Sequence, residues 1–211
     1  MEHETLFHRP QQATALLLLA HGAGAGMRHP FLEALAGALH EQGVATLRYE
    51  FPYMAAGRKR PDPPRVAMAT VQAAVAEGRA AAPDLPLFAG GKSFGSRMST
   101  MAAAAGLLPE VRGLVCFGFP LHAAKKPALE RAGHLAQVSV PLLFLQGTRD
   151  ALAETDLMRQ VAQGLPHATL HIVAGADHGF AVPKASGRST EAVLTELAAT
   201  AAGFMRAKGV P

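Results

Sequence analysis

The stretch Gly91-Lys92-Ser93-Phe94-Gly95 decides the fold, because it joins an apolar run of strand length, residues 85–89, to a helical segment, residues 93–105. It fits the pattern G-x-S-x-G, in which glycines keep side chains away from a sharp strand-to-helix turn. Such a turn exposes the serine hydroxyl above the sheet, at the positive end of the helix dipole. The pentapeptide therefore predicts a nucleophile at Ser93, and a glycine-rich turn without chemistry is the alternative.

Outward from this turn, the chain alternates between apolar runs and helical segments. The predicted strands are residues 14–20, 44–49, 85–89, 111–117, 141–146 and 168–173. The predicted helices are residues 31–42, 65–82, 93–105, 155–163 and 189–206. Nearly continuous apolar runs are typical of strands covered on both faces, as in parallel sheets. The alternation predicts an α/β fold whose mostly parallel central sheet has about six to seven strands, with helices on both faces and an antiparallel edge strand at Leu6-Phe7.

Length and composition restrict the class of protein. The length of 211 residues predicts a single domain, residues 1–211. The composition, with 49% hydrophobic and 17% charged residues, excludes a disordered chain. The net charge of +4 is spread along the chain without interleaved aromatic residues, so no nucleic-acid partner is expected. The single cysteine, Cys116, excludes an internal disulfide and a Cys-clustered metal site.

The location of the protein is predicted from the N-terminal part of the chain. The longest apolar run, Ala15–Ala20, is far shorter than the roughly 20 residues of a membrane span. Glu2 and Glu4 precede it against Arg9, the wrong charge for a secretory signal. We therefore expect a cytoplasmic protein with no membrane partner, and the lone cysteine fits a reducing compartment.

Two further chemical groups follow predicted strands. In open α/β sheets the site lies beyond the carboxyl ends of the strands, where Asp150 and His178 each come after a strand of their own. Alone, such an aspartate is usually a turn residue and a loop histidine usually has no role. Together with Ser93 they give the order Ser, Asp, His, which predicts a triad in which His178 is the base and Asp150 orients it. Asp177 is the competing acid, but a sequence neighbour is poorly placed to accept from the ring of His178.

Backbone that is poor in side chains follows the first long strand, at His21-Gly22-Ala23-Gly24-Ala25-Gly26. Such backbone can approach a substrate closely, and a flexible glycine loop is the alternative. We expect the backbone N–H groups of Ala23, or alternatively Gly24, and of Phe94 to form an oxyanion hole. Gly24 is also a candidate substrate contact, and His21 is interpreted as a residue that braces the loop.

Basic residues near the predicted site give two weaker indications. Gly91-Lys92-Ser93 resembles the end of a phosphate loop, but Pro86 stands where that motif needs glycine, so nucleotide binding is not indicated. Arg58 and Arg60 lie in a loop after a strand and are candidate contacts for an anionic substrate, with a solvated loop as the alternative. Lys92 is interpreted as a structural or surface group.

With these motifs the chain resembles an α/β hydrolase over nearly its full length. A narrower resemblance lies in Arg48-Tyr49-Glu50-Phe51-Pro52-Tyr53-Met54 and the following Gly57-Arg58-Lys59-Arg60-Pro61. This part is similar to the bacterial branch of a hydrolase-like family typified by a testis-expressed protein and a subunit of a chromatin acetyltransferase complex. The chain is also similar in layout to dienelactone hydrolases, which carry cysteine as nucleophile where this chain has Ser93. The resemblance implies the α/β-hydrolase fold.

The segment after the strand at 111–117 bears on the substrate, because larger esterases and lipases commonly insert their lid there. Only residues 118–140 intervene here, so we expect a minimal lid or none, and small soluble esters, thioesters or lactones as substrates. The predicted function is a serine hydrolase that forms an acyl-enzyme and needs no metal or organic cofactor. Acyl transfer or perhydrolysis by the same triad is left open, and a non-catalytic binding module is the alternative. A homodimer is a candidate assembly.

Overall fold

The structure, a computed structural model, describes residues 4–209 of the chain. The strands are β1 (Thr5–His8), β2 (Ala15–Ala20), β3 (Val44–Tyr49), β4 (Leu87–Lys92), β5 (Val111–Phe117), β6 (Leu142–Gly147) and β7 (Ala168–Val173). The α-helices are α1 (Pro30–Glu41), α2 (Pro52–Ala55), α3 (Pro64–Ala81), α4 (Phe94–Ala104), α5 (Thr155–Gln163) and α6 (Thr190–Gly209). The predicted single domain, residues 1–211, stays a prediction, and its first three and last two residues lie outside the described ones.

All seven strands form one sheet in the order β1-β3-β2-β4-β5-β6-β7. Strands β2 to β7 are parallel, and β1 pairs antiparallel with β3 at the edge, with Leu6 opposite Arg48. The predicted mostly parallel sheet and the predicted edge strand at Leu6-Phe7 are therefore both confirmed.

Strand β2 shows why the apolar runs are continuous. Leu16 and Leu18 belong to the core cluster shared with α3 and α4, whereas Leu17 and Leu19 belong to the cluster shared with α1 and α6. Successive side chains of a strand point to opposite faces, so a strand covered on both faces must be apolar at every position. All six residues of β2 are buried, and the prediction of helices on both faces is confirmed.

Strand β4 differs from its predicted extent, because it continues through the two glycines that the sequence pattern assigns to a turn. Gly90 and Gly91 pair with Val115 and Cys116 of β5. A Cβ atom at Gly90 would lie 1.9 Å from the Val115 carbonyl oxygen. These glycines permit close strand approach inside the sheet, and the turn begins only after Lys92. Helix α2 was not predicted either, although proline at its first position favours a helix start.

The connection between β5 and β6 is short, as predicted. Its regular structure consists of two single-turn 3-10 helices, Glu130–Ala132 and Leu135–Gln137, and no lid is evident within residues 4–209. None of the helices in this described range combines the length and the apolar character that crossing a bilayer requires.

The carboxyl ends of β2, β4, β6 and β7 lie at the same edge of the sheet, so the loops that follow these strands can meet.

Candidate active site

The turn between β4 and α4 holds Ser93 in a strained conformation, with φ 50° and ψ −110°. Few non-glycine residues adopt a positive φ, and such strain is concentrated at functional sites. Flanking residues must be small, because a Cβ atom at Gly91 would lie 2.3 Å from the Ala20 carbonyl oxygen and one at Gly95 would lie 2.6 Å from the Ala20 Cβ. The Ser93 N–H donates to the Phe117 carbonyl oxygen at 3.0 Å, which fixes the turn against β5.

The side chains of Ser93, His178 and Asp150 form one hydrogen-bonded relay. His178 Nε2 lies 2.9 Å from Ser93 Oγ, and His178 Nδ1 lies 2.7 Å from Asp150 Oδ2. The carboxylate can only accept, so the proton on the neutral ring belongs on Nδ1, which leaves Nε2 free to accept from the serine hydroxyl. The Asp150 side chain is fully buried, whereas 27% of the His178 side chain is exposed. The structure thus brings together three groups that are far apart in the sequence.

Asp150 is held by two donors besides the histidine. The Leu152 N–H donates to Oδ1 at 2.8 Å, and the Gln146 side-chain amide donates to Oδ2 at 2.5 Å. Charge-assisted bonds of this kind satisfy a buried carboxylate and fix its orientation. Sequence reasoning missed Gln146, although a polar residue near the end of the apolar strand β6 was a visible signal.

The loop that carries His178 is shaped by Asp177. Asp177 Oδ1 accepts from the N–H groups of Gly179 and Ala181, at 2.8 and 2.9 Å. Phe180 completes the turn with φ 64°. Asp177 therefore builds the turn, and Asp150 is the acid beside the ring, as the sequence argument preferred.

The side chains of His21 and Tyr53 hold the loop after β2 in place. His21 is fully buried, its Nδ1 lies 2.8 Å from the Gly22 carbonyl oxygen, and its Nε2 accepts from the Phe51 N–H at 3.0 Å. Burial lowers the pKa of His21 to about 4, so the ring is neutral and Nδ1 donates. The Gly24 N–H donates to the Tyr53 hydroxyl oxygen at 3.3 Å. His21 thus has the bracing contacts that the sequence predicted.

A cavity of about 180 Å³ opens beside Ser93 and His178. Ala23, the predicted oxyanion donor, lines it. Phe94 is the first residue of α4, and the first N–H groups of a helix have no partner within the helix. The predicted donors therefore belong to two different segments, the loop after β2 and the first turn of α4.

Arg58 and Arg60 do not join this cavity. Both line a separate surface pocket with Asp62 and nearby prolines, and the Arg58 guanidinium pairs with Asp62 at 2.8 Å. Neither arginine lines the cavity beside Ser93 and His178, and their assignment to substrate binding stays a prediction.

Lys92, interpreted from the sequence as a structural or surface group, lies in the interior of the site. Lys92 lines the cavity, and its Nζ is shielded from solvent and has no hydrogen-bond partner among residues 4–209. Nζ lies 5.5 Å from the centroid of the Phe180 ring. Burial lowers the pKa of Lys92 to about 8, and the charges of Asp150 and Asp177 partly oppose that shift. This side chain is therefore part of the interior of the site and not a surface group.

The described residues offer no obvious metal site. Within residues 4–209, no group of three or more His, Cys, Asp or Glu side chains gathers closely enough to hold a metal ion.

Residues 13–206 match the model of a protein family described as alpha/beta hydrolase domain. The chain belongs to this family. The matched residues include Ser93, Asp150 and His178. The α/β-hydrolase fold predicted from the resemblance is therefore confirmed. The narrower resemblance, to the family of the testis-expressed protein and the acetyltransferase subunit, stays a prediction.

Solved structures with the same fold support this placement. A dienelactone hydrolase from Anabaena variabilis is 22% identical with a TM-score of 0.78, over 100% of this chain and 94% of that one. An alpha-beta serine hydrolase homologue from Coxiella burnetii is 21% identical with a TM-score of 0.76, over 94% and 91% of the two chains. A serine hydrolase without a lid from Xanthomonas campestris is 20% identical with a TM-score of 0.71, over 97% and 88%. At these identities the likeness establishes the α/β-hydrolase fold.

Proposed function

We propose that this α/β hydrolase is a serine hydrolase that cleaves an ester or related acyl bond. The observation that carries the proposal is the continuous relay Ser93–His178–Asp150, with hydrogen-bond distances of 2.9 and 2.7 Å. A nucleophile bonded to a base, which a third group orients in turn, is the arrangement that activates a hydroxyl group. The strained Ser93 and the cavity beside it support the same conclusion.

In the first step Ser93 Oγ attacks the carbonyl carbon while His178 Nε2 takes the hydroxyl proton. Asp150 keeps the other ring proton on Nδ1 and stabilises the imidazolium that forms. The tetrahedral intermediate then expels the alcohol or thiol, and His178 returns its proton to that leaving group. Ser93 is left as an acyl ester.

The oxyanion of the intermediate requires donors that are already in place. The proposed donors are the backbone N–H groups of Ala23 and Phe94. Ala23 is favoured over Gly24, because the Gly24 N–H already donates to the Tyr53 hydroxyl. Water then attacks the acyl-enzyme, with His178 again as the base, and releases the acid.

Small soluble esters, thioesters or lactones are the proposed substrates. The short connection between β5 and β6 and the modest cavity support compact substrates. The structural neighbours are described as a dienelactone hydrolase and serine hydrolases, which also supports an ester or lactone substrate. A cytoplasmic location belongs to the proposal and is supported by Cys116, which is free and buried. The predicted homodimer and the narrower family are part of the same hypothesis.

The test is hydrolysis of short-chain p-nitrophenyl esters by wild type, Ser93→Ala and a matched control, Ser139→Ala, at an exposed serine. We expect Ser93→Ala to lose at least about a thousandfold in kcat and the control to keep the wild-type rate. A fluorophosphonate should label the wild type and the control but not Ser93→Ala. Equal rates for wild type and Ser93→Ala, or folded protein that resists the label, would favour a non-catalytic binding module.

A further inference from the structure

The cavity beside Ser93 and His178 has a wall that suggests which substituent of the substrate it binds. Apart from those two residues, its lining side chains are mainly apolar and include Ala23, Ala25, Phe31 and Leu32. These residues come from the loop after β2 and from the first turn of α1, so one continuous segment of chain forms most of the apolar wall.

This wall is held in place by its own contacts. The Phe31 ring stacks on Phe180 with centroids 5.7 Å apart and an interplanar angle of 9°. The Phe31 N–H donates to His29 Nδ1 at 3.2 Å, which caps the helix, and Leu32 is only 2% exposed. A wall fixed in this way does not expand easily, so it imposes an upper limit on the group that enters.

The volume gives the size of that group. An apolar cavity of about 150 Å³ in a protein interior is large enough to bind benzene. The present cavity, at about 180 Å³, therefore has room for an acyl or alcohol substituent of about six or seven non-hydrogen atoms.

The charge of the wall gives the polarity of that group. Besides Ser93 and His178, the polar side chains of the lining residues belong to Lys92 and His29. The Lys92 Nζ is shielded from solvent, and the His29 Nδ1 accepts from the Phe31 N–H. Arg58 and Arg60 line another pocket. A charged substituent would leave water without an ionic partner, which is costly.

We propose, as an extension of the esterase function proposed above, that this cavity binds one compact, uncharged, apolar substituent of the ester, and that Ala25 and Phe31 set its maximum size. The two substituents of an ester, acyl and alcohol, have the same chemistry here, and the experiment distinguishes them.

Two substrate series are measured with the wild type: p-nitrophenyl esters of straight-chain acids from acetate to decanoate together with benzoate, and acetate esters of straight-chain alcohols of matching length. For the series whose variable group enters the cavity, we expect kcat/KM to rise about fourfold per added methylene. The rise should end near six or seven non-hydrogen atoms, and longer members should fall by about tenfold or more. An ester with a terminal carboxylate should react at least about tenfold more slowly than its neutral isostere.

Two variants shift the limit in opposite directions. Ala25→Leu fills part of the cavity, so the optimum should shift to shorter groups. In the series whose variable group enters the cavity, the ratio of kcat/KM for the six-carbon member to that for the two-carbon member should fall about tenfold. Phe31→Ala removes the stacked ring, so the optimum should shift to longer groups. Leu129→Ala, at an exposed leucine away from the cavity, is the matched control and should keep the wild-type profile.

The outcomes separate the two proposals. If Ser93-dependent turnover shows no length optimum in either series, or if the carboxylate-bearing ester is preferred, the cavity assignment is wrong and the esterase function stands. If both cavity variants retain the wild-type profile, the limit is not set by Ala25 and Phe31 and the assignment is also overturned. If fluorophosphonate does not label Ser93 and no ester is cleaved, the proposed function itself fails.

Discussion

Replacing Lys92 with methionine should stabilise the fold, and the gain should depend on pH. The lysine Nζ is buried without a hydrogen-bond partner among residues 4–209. Burial lowers its pKa from 10.5 to about 8, even though the charges of Asp150 and Asp177 favour the ammonium form. Methionine keeps the length of the stem and removes the charge, so Lys92→Met isolates the cost of burying the ammonium group.

The size of the effect follows from the difference in pKa between the folded and the unfolded chain. The fall of the lysine pKa from 10.5 to about 8 corresponds to about 3 kcal/mol. Below pH 8 the lysine is charged in both states, so the folded state carries the full cost. Between pH 8 and 10.5 the unfolded chain binds the proton and the folded chain does not, so stability rises with pH. Above pH 10.5 both states are neutral and the cost is gone.

The assay is urea unfolding of wild type and Lys92→Met at pH 7, 8, 9 and 10. We expect the variant to be more stable by about 3 kcal/mol at pH 7, and this difference should shrink steadily above pH 8. The control is Lys59→Met, at an exposed lysine, for which we expect a change within about 0.5 kcal/mol at every pH. If Lys92→Met is less stable than wild type at pH 7, or gains the same amount at every pH, then the ammonium is not buried at a cost and the reasoning is refuted.

Two further predictions test the relay and the turn. Asp150→Asn should lower kcat by about ten-thousandfold while circular dichroism shows that the fold is retained, because the amide can donate to His178 Nδ1 and so favour the wrong tautomer. The control Asp156→Asn, at an exposed aspartate, should leave kcat unchanged. A loss of less than about tenfold for Asp150→Asn would argue against the role of Asp150. Gly91→Ala should destabilise the fold by more than about 3 kcal/mol, because its Cβ would lie 2.3 Å from the Ala20 carbonyl oxygen. Gly37→Ala in α1, where a Cβ has open space, should instead stabilise by about 0.5 to 1 kcal/mol, and equal unfolding midpoints for the two variants would contradict the account.

The sequence was sufficient to find the relay because the fold is a parallel sheet. The groups Ser93, Asp150 and His178 each follow a strand, and the carboxyl ends of parallel strands lie at one edge. A local motif after each strand therefore predicts proximity in space without any knowledge of side-chain contacts. The extent of β4 was harder to predict, since Gly90 and Gly91 are turn residues by composition and strand residues by pairing.

Lys92 could not be placed from the sequence, because the space that it occupies depends on a residue that follows another strand. A Cβ atom at Gly118, just after β5, would lie 3.0 Å from Lys92 Nζ, and Gly118 has a φ of 66° that favours glycine. The missing side chain leaves room for the ammonium group. The residues next to Lys92 in the sequence do not indicate this space, and a lysine in a turn is normally solvated. Arg58 illustrates the same dependence: its loop begins at the same edge of the sheet, but its guanidinium pairs with Asp62 and it does not line the cavity at Ser93. Strand order therefore predicts which loops meet, whereas the contacts of a long charged side chain depend on the packing of residues far away in the sequence.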